Sequence, residues 1–211
     1  CYTVLIATGA EHRKLGAKGE SEFNGRGVSY CATCDGPFFR GGKIFVVGGG
    51  DSALEEAFYL SSLTDQVILV HRRDQFRAQK AIQQKIKKNK NITVIFNTEI
   101  AQIKGGQKVE SVVLRDTVSG EKVEQTADAV FIFVGMNPRT DLVSMLRKDE
   151  GGYLITNYRM ETSVPGMYAA GDVRAKPFRQ LITAASDGAI AAHQAHEYVT
   201  MIKNARTGAE N

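Results

Sequence analysis

Apolar positions along the chain fall in short runs, each closed by glycine or a polar cluster, and each run's spacing predicts an element. Residues 2–7 read as a buried strand ending at the Thr8-Gly9 turn, and residues 11–27 as a polar, glycine-rich connector. Residues 43–47 form a second apolar strand that runs straight into Gly48-Gly49-Gly50. Across residues 51–63, Ala53, Leu54, Ala57, Phe58 and Leu60 recur at helical spacing. A strand at 66–70, a helix at 75–88 with Phe76, Ile82 and Ile86 inward, and a strand at 92–96 follow. Strands alternating with helices in this order predict an α/β fold, a parallel sheet covered by helices.

From residue 100 the pattern changes. Residues 100–103, 109–116 and 122–125 predict an antiparallel insert, with turns at Gly105-Gly106 and Ser119-Gly120. Residues 129–134 return as a core strand ending at Gly135. Residues 141–150 are polar, residues 168–172 read as another strand end, and residues 181–201 as a long Ala-rich helix. There is no internal repeat and no low-complexity tract.

Composition narrows the class. With 211 residues and 43% hydrophobic content, the chain can build one large core or two modest ones. No apolar run approaches a membrane span. The chain opens directly on a strand-like run with no basic stretch before it, so a further N-terminal segment is expected rather than a signal peptide. A net charge of +4 permits acidic partners without demanding nucleic acid. Lys80, Lys85, Lys87, Lys88 and Lys90 read as a solvated helix face, and no aromatics interleave with the arginines as in a nucleic-acid binder. Three cysteines, two of them in Cys31-Ala-Thr-Cys34, do not make a disulfide-stapled secreted scaffold. A reducing cytoplasm with a catalytic dithiol fits better.

Gly48-x-Gly50-x-x-Ala53 has the spacing of a dinucleotide fingerprint, and it follows a predicted strand and opens a predicted helix. The first glycine makes the tight turn, the second lets the backbone approach a pyrophosphate, and Ala53 lets helix and strand pack closely. The helix start at Asp51 and Ser52 offers N–H groups and partial positive charge to phosphate. NAD sites place an acidic residue ~20 positions on, for the ribose 2′-hydroxyl. Here the next strand ends in His71-Arg72-Arg73, with Arg77 one turn further. Planar, always-ionised guanidiniums suit a 2′-phosphate, so NADPH is expected. His71 ranks below the arginines because it could equally be a packing histidine.

Cys31-Ala-Thr-Cys34-Asp35 is expected in a loop before the strand at 43–47. Two-residue spacing lets the sulfurs close a small, reducible disulfide. A zinc site needs about four ligands, and only Cys1 and scattered histidines remain to complete one. A structural disulfide fits poorly with so short a loop. A thioredoxin-like pair would open a helix, usually near a Trp, and the chain has none. A dithiol that takes electrons from a cofactor is the better reading, because a dinucleotide fold begins just downstream. Asp35 has two readings, a general acid or base for the thiols or a turn former before Gly36.

Together these motifs resemble the low-molecular-weight thioredoxin reductase family, across essentially the whole chain. Residues 27–36, Gly-Val-Ser-Tyr-Cys-Ala-Thr-Cys-Asp-Gly, are similar to its redox motif. Gly48 to Ala53 with residues 71–78 resembles its NADPH signature, and Val134-Gly135-x-x-Pro138 resembles the return to the flavin domain. Thr8-Gly9, Gly171-Asp172-Val173 and Arg179-Gln180-Leu181 resemble its FAD-contacting segments; Ser186-Asp187 departs from the Gly-rich form often found there. The family begins with its own FAD-binding glycine turn, and no second fingerprint is present in this sequence.

The resemblance implies a two-dinucleotide-binding-domain flavoprotein. Residues 1–11 would be partial FAD domain, 12–142 a Rossmann-like NADPH-binding domain with antiparallel insert and redox CxxC, and 143–211 the C-terminal part of the FAD domain. The NADPH set comprises Gly48, Gly49, Gly50, Asp51, Ser52, Ala53, His71, Arg72, Arg73, Arg77 and Gly135. The catalytic set is Cys31, Cys34 and Asp35, with Cys34 nearer the flavin and Cys31 attacking thioredoxin or a thioredoxin-like protein. A homodimer is implied for the full-length protein, and this fragment alone is expected to bind NADPH but to hold FAD poorly. The alternatives are a peroxiredoxin-directed or ferredoxin-linked relative of the same fold, and a nucleotide-binding module without catalysis.

Overall fold

The computed structural model describes residues 1–207. The chain divides into two units, one built from Cys1–His12 with the chain from Met136 onward, the other from Arg13–Gly135. In chain order the first strands are β1 (Val4–Ile6), β2 (Ala10–His12) and β3 (Val28–Ser29). Then come α1 (Ala32–Asp35), β4 (Ile44–Gly48), α2 (Asp51–Leu60), β5 (Val67–Val70), α3 (Lys80–Lys88) and β6 (Ile92–Ile95). The insert is β7 (Thr98–Gly105), β8 (Val109–Asp116) and β9 (Lys122–Thr126), followed by β10 (Ala129–Phe133). β11 (Met136–Pro138), β12 (Met167–Ala169) and α4 (Leu181–Thr207) complete the described elements.

In the Arg13–Gly135 unit a five-stranded parallel sheet has the order β3-β10-β4-β5-β6. Its strands are apolar on both faces because both are covered, as parallel sheets require. Alternation sorts the side chains. Ile44, Val46, Val67, Leu69 and Phe131 face α2 and α3, where Ala53, Leu54, Ala57, Leu60 and Ile86 meet them. Phe45, Val47, Ile68, Val70, Val130 and Ile132 face the insert, against Ile100, Ile103, Val109, Val112 and Leu114. Truncating a buried member such as Phe131 to alanine costs about 3–5 kcal/mol.

Several element bounds differ from the sequence expectation, for local reasons. The second helix starts at Lys80, not residue 75, because the Arg77 and Ala78 N–H groups donate to the Gly49 carbonyl (2.8 and 3.2 Å) and Gln79 N–H donates to Asp51 Oδ1 (2.8 Å). The preceding segment is spent on the glycine turn instead of on a helical turn. The first helix stops at Leu60; the Ser61 and Ser62 hydroxyls then bond the Phe58 and Tyr59 carbonyls. The 11–27 connector is packed structure: Phe23 is in the core, and buried Glu20 accepts the Leu15 and Gly16 N–H groups at 2.9 and 2.7 Å.

The other unit pairs β1 with β12 in parallel and β2 with β11 antiparallel. Because β11 is tied to β2, the division falls at residues 12/13 and 135/136, not at 142 as the sequence implied. Ile6, Val143, Leu146, Leu154, Ala169 and Val173 form one cluster, and Met160, Tyr168, Ala170 and Ala191 another. Among the described residues no helix is long and apolar enough to cross a membrane, and no group of three or more His, Cys, Asp or Glu side chains could hold a metal.

Candidate functional site

The glycine turn lies at the carboxyl end of β4, the central strand of the parallel sheet, where open α/β folds bind ligands. Gly48 abuts Ala53 and the Phe133 carbonyl; a Cβ on it would come within 2.5 Å of both. Strand and helix therefore close-pack only with these two residue types. Gly49 is pressed by His71, whose ring Cε1 would lie 2.2 Å from a Cβ there. Gly50 is the N-cap residue of α2 and faces open space. The ten-residue α2 thus presents its first N–H groups and positive dipole end outward. Asp51 is partly committed, accepting from Gln79, while Ser52 is exposed on the first turn.

In front of the turn is a cleft of about 290 Å³. Gly48, Gly49, His71, Arg72 and Arg77 line it, with Arg13, Lys14, Thr98, Glu99 and Phe133. Arg73 is exposed nearby but is not part of the lining. Ala53 lies behind Gly48 in the core, and Gly135 meets the Arg13 side chain, 3.3 Å from its Cδ to a Cβ position. The cleft is cationic: its carboxylate, Glu99, is already ion-paired with Arg115. Sequence reasoning missed Arg13, Lys14, Thr98 and Glu99, because only the fold, including the Arg13 N–H bond to the Gly135 carbonyl (2.9 Å), brings them there.

His71 is buried, and its Nε2 has no hydrogen-bond partner. Burial lowers its pKa below the ordinary 6.5, a bond to the Gln75 backbone opposes this, and the charges of Arg73, Arg77 and Arg72 lower it further. The imidazole props Gly49 from behind, with Arg72, Arg73 and Arg77 close enough to disfavour its charged form.

The cysteine pair is a disulfide with its Cα atoms 5.3 Å apart. It does not sit in a loop: Cys31 is the N-cap of α1, and its Sγ accepts the Cys34 N–H at 3.2 Å. A sulfur in the capping position nucleates one helical turn, which ends as the chain reaches Gly36-Pro37 and continues as a 3₁₀ turn. Cys34 is exposed and Cys31 half-buried. Asp35 accepts a 2.6 Å bond from the hydroxyl of buried Ser29, at the end of β3. Tyr30, just before Cys31, donates to Glu20 (2.7 Å) and accepts from Lys14 (3.1 Å).

In the other unit, parallel pairing of β1 with β12 puts Thr8-Gly9 and Gly171-Asp172 at one carboxyl edge. The Thr8 hydroxyl donates to the Arg139 carbonyl (2.5 Å), and the Arg139 N–H to Gly9 (3.0 Å). The Gly171 N–H is taken by Asp187 Oδ2 at 3.0 Å. Asp172 Oδ1 is buried with no hydrogen bond, 3.6 Å from the Lys176 ammonium. Val173 serves the core with its side chain. Arg179 stacks 3.9 Å over Tyr153 and bonds the Asp172 and Arg174 carbonyls. Gln180 N–H bonds the Thr183 hydroxyl, and Leu181, first in α4, is 87% exposed. Asp187, the departure noted in the sequence, is buried between Arg174 (2.7 Å) and Lys176 (3.0 Å).

The chain matches the pyridine nucleotide-disulphide oxidoreductase family over residues 1–196. It is 56% identical to a thioredoxin reductase of Treponema pallidum (strain Nichols) over 202 residues, 96% of this chain and 66% of that protein. It is 50% identical to one from Listeria innocua, over 96% of this chain and 64% of that one. The crystal structure of thioredoxin reductase from Streptococcus pyogenes MGAS5005 matches with a TM-score of 0.90 and 47% identity, covering 94% of this chain and 66% of that chain. The chain thus spans just under two thirds of the length of these relatives.

Proposed function

Since the chain belongs to the pyridine nucleotide-disulphide oxidoreductase family, we propose that it supplies the NADPH-binding lobe and part of the FAD lobe of a thioredoxin-disulfide reductase. The observation that carries this reading is the pairing, in one unit, of a closed Cys31–Cys34 disulfide with a cationic cleft at a strand-glycine-helix turn. NADPH fits the residues present. Gly48 and Gly49 have no room for side chains, Gly50 opens to solvent, and Arg72, Arg73 and Arg77 match a 2′-phosphate. FAD fits the second unit through the carboxyl edge at Thr8-Gly9 and Gly171-Asp172, where the buried Asp172 Oδ1 lacks a hydrogen-bond donor. A bound flavin supplies the two-electron link between nicotinamide hydride and disulfide.

The chain's own residues do the rest. Two electrons convert the Cys31–Cys34 disulfide to two thiolates, and Asp35 holds or moves a proton beside them. The Cys31 thiolate attacks the disulfide of thioredoxin, forming a mixed disulfide and releasing one thioredoxin thiolate. Cys34 then attacks the Cys31 sulfur, which restores the intramolecular disulfide and frees reduced thioredoxin. The Cys34 N–H on Cys31 Sγ supports Cys31 as the attacking thiolate. In this reading the full-length protein is a cytoplasmic homodimer; exposed Phe178, Leu181 and Ile182 support further burial of that unit's surface.

The test is NADPH-dependent reduction of thioredoxin by the full-length flavoprotein. Cys31→Ser and Cys34→Ser should each abolish it while NADPH still bleaches the flavin. Normal thioredoxin turnover in either variant would rule the dithiol role out.

A further inference from the structure

Ser29 occupies an unusual position for a serine outside the redox motif's cysteines and acid. It ends β3, and its backbone is fixed by parallel pairing with Phe131 of β10, so it belongs to the rigid sheet rather than to the cysteine turn. Its side chain is buried. One hydroxyl makes two bonds to the redox segment. It accepts the Cys31 N–H at 3.1 Å and donates to Asp35 Oδ2 at 2.6 Å. The Cys31 carbonyl is also near, at 3.3 Å. A hydroxyl has one proton, and a carboxylate at 2.6 Å is the stronger acceptor. The proton therefore goes to Asp35 while Asp35 is ionised.

We infer that Ser29 is a positioning residue for the dithiol chemistry, holding the Asp35 carboxyl group oriented beside the cysteines while it pins the Cys31 backbone to the sheet. This rests on the dithiol reading above. The anchor acts through Asp35 and touches no sulfur. Removing it takes away the 2.6 Å bond that orients Asp35 and frees its side chain to turn into solvent. Other ionisable groups surround the segment. On the preceding stretch they are Tyr30, with its partners Glu20 and Lys14. On α2, packed against α1, they are Asp51, Glu55, Tyr59 and Glu56, whose carboxyl is half-buried and titrates above the ordinary 4.5 because of burial and the neighbouring Glu55.

The test uses the chain itself, reduced with dithiothreitol, freed of reductant, and alkylated with iodoacetamide across pH. The variants are Ser29→Ala, Ser29→Thr, Asp35→Asn and Glu56→Gln. The expected result is that Ser29→Ala and Asp35→Asn move the alkylation profile in the same direction, with roughly a tenfold rate change at pH 7, on the scale of one charge-assisted hydrogen bond. Ser29→Thr, which keeps the hydroxyl, should return the profile to within about twofold of the parent. A Ser29→Ala profile equal to the parent's would overturn the inference. So would a Ser29→Ala shift with Asp35→Asn unchanged, which would mean that packing and not the carboxylate is at stake. A profile that follows Glu56→Gln instead would assign the titration to α2 and overturn it too. If the parent disulfide resists dithiothreitol altogether, the dithiol reading falls, and this inference with it.

Discussion

The imidazole of His71 lies directly against the Cα of Gly49, where a Cβ would meet its ring atoms at 2.2–2.6 Å. The ring follows the end of β5 and the glycine lies in the turn after β4, so this contact ties the two strand ends together. The Gly49 backbone is held as well, because its carbonyl accepts from both Arg77 and Ala78. Gly49→Ala must push the buried ring away or displace the turn. Overpacking of this kind costs about 1–3 kcal/mol. The expected outcome is a lower melting temperature and at least a tenfold loss of NADPH affinity by titration. Gly50→Ala, with open space beyond its Cα, should cost much less stability.

Coenzyme choice should depend unequally on the arginines. Arg72 and Arg77 line the cleft, and Arg73 stands outside its lining. A charged hydrogen bond to phosphate contributes about 1.5–3 kcal/mol. Arg72→Ala should weaken NADPH by roughly 10- to 100-fold on that scale and leave NADH nearly unchanged. Arg73→Ala should have a smaller effect. Fluorescence titration with both coenzymes checks this, and equal losses for NADPH and NADH would mean that these arginines do not read the 2′-phosphate.

Stability should carry a signature of His71. Burial is the main cause of its lowered pKa, and the charges of Arg73, Arg77 and Arg72 add to it against the bond to the Gln75 backbone. The folded value is below the ordinary 6.5, so between the two the unfolded chain binds more protons. The His71 contribution is therefore complete above 6.5 and is lost as pH falls through the folded value. Melting curves from pH 8 downward should show a decline beginning near 6.5 that His71→Gln flattens. An unchanged slope in that variant would assign the decline to another group.

Short, uniformly apolar runs separated by helical segments are enough to read the parallel sheet, because a strand covered on both faces must be apolar throughout, as Ile44–Gly48 and Val67–Val70 are. The glycine turn was legible for a similar reason, since its spacing answers local geometry at Gly48 and Ala53. What stayed hidden depends on contacts distant in sequence. The start of α3 was misplaced because Gly49 and Asp51, some thirty residues upstream, take the N–H groups of 77–79. Arg13 and Lys14 join the cleft only because the chain crosses beside Gly135. The helix at Cys31 was missed because its cap is a sulfur, outside the Ser, Thr, Asp and Asn preference. Ser29 carried no signal at all apart from its place in the redox motif.

Asp187 should be the weak point of the second unit. It receives Arg174 at 2.7 Å, Lys176 at 3.0 Å and the Gly171 N–H at 3.0 Å. Burial raises its pKa, but the bonds from Arg174, Lys176 and Gly171 together outweigh that, and the carboxyl titrates below its ordinary 3.8. Its contribution is therefore present above 3.8 and is lost as pH falls through the lower folded value. Asp187→Ala leaves two buried cations without this counter-charge, and breaking a buried pair from one side costs about 3–5 kcal/mol. Asp187→Asn keeps one acceptor oxygen and should fall between the alanine variant and the parent. Hydrogen exchange at the Gly171 amide is the direct readout. Protection there should drop in the order parent, Asn, Ala, while amides of β4 in the other unit keep theirs. Parent-like protection of Gly171 in Asp187→Ala would show that the turn after β12 is held by its own 3₁₀ bond, Arg174 N–H to Gly171 O, and not by the ion cluster.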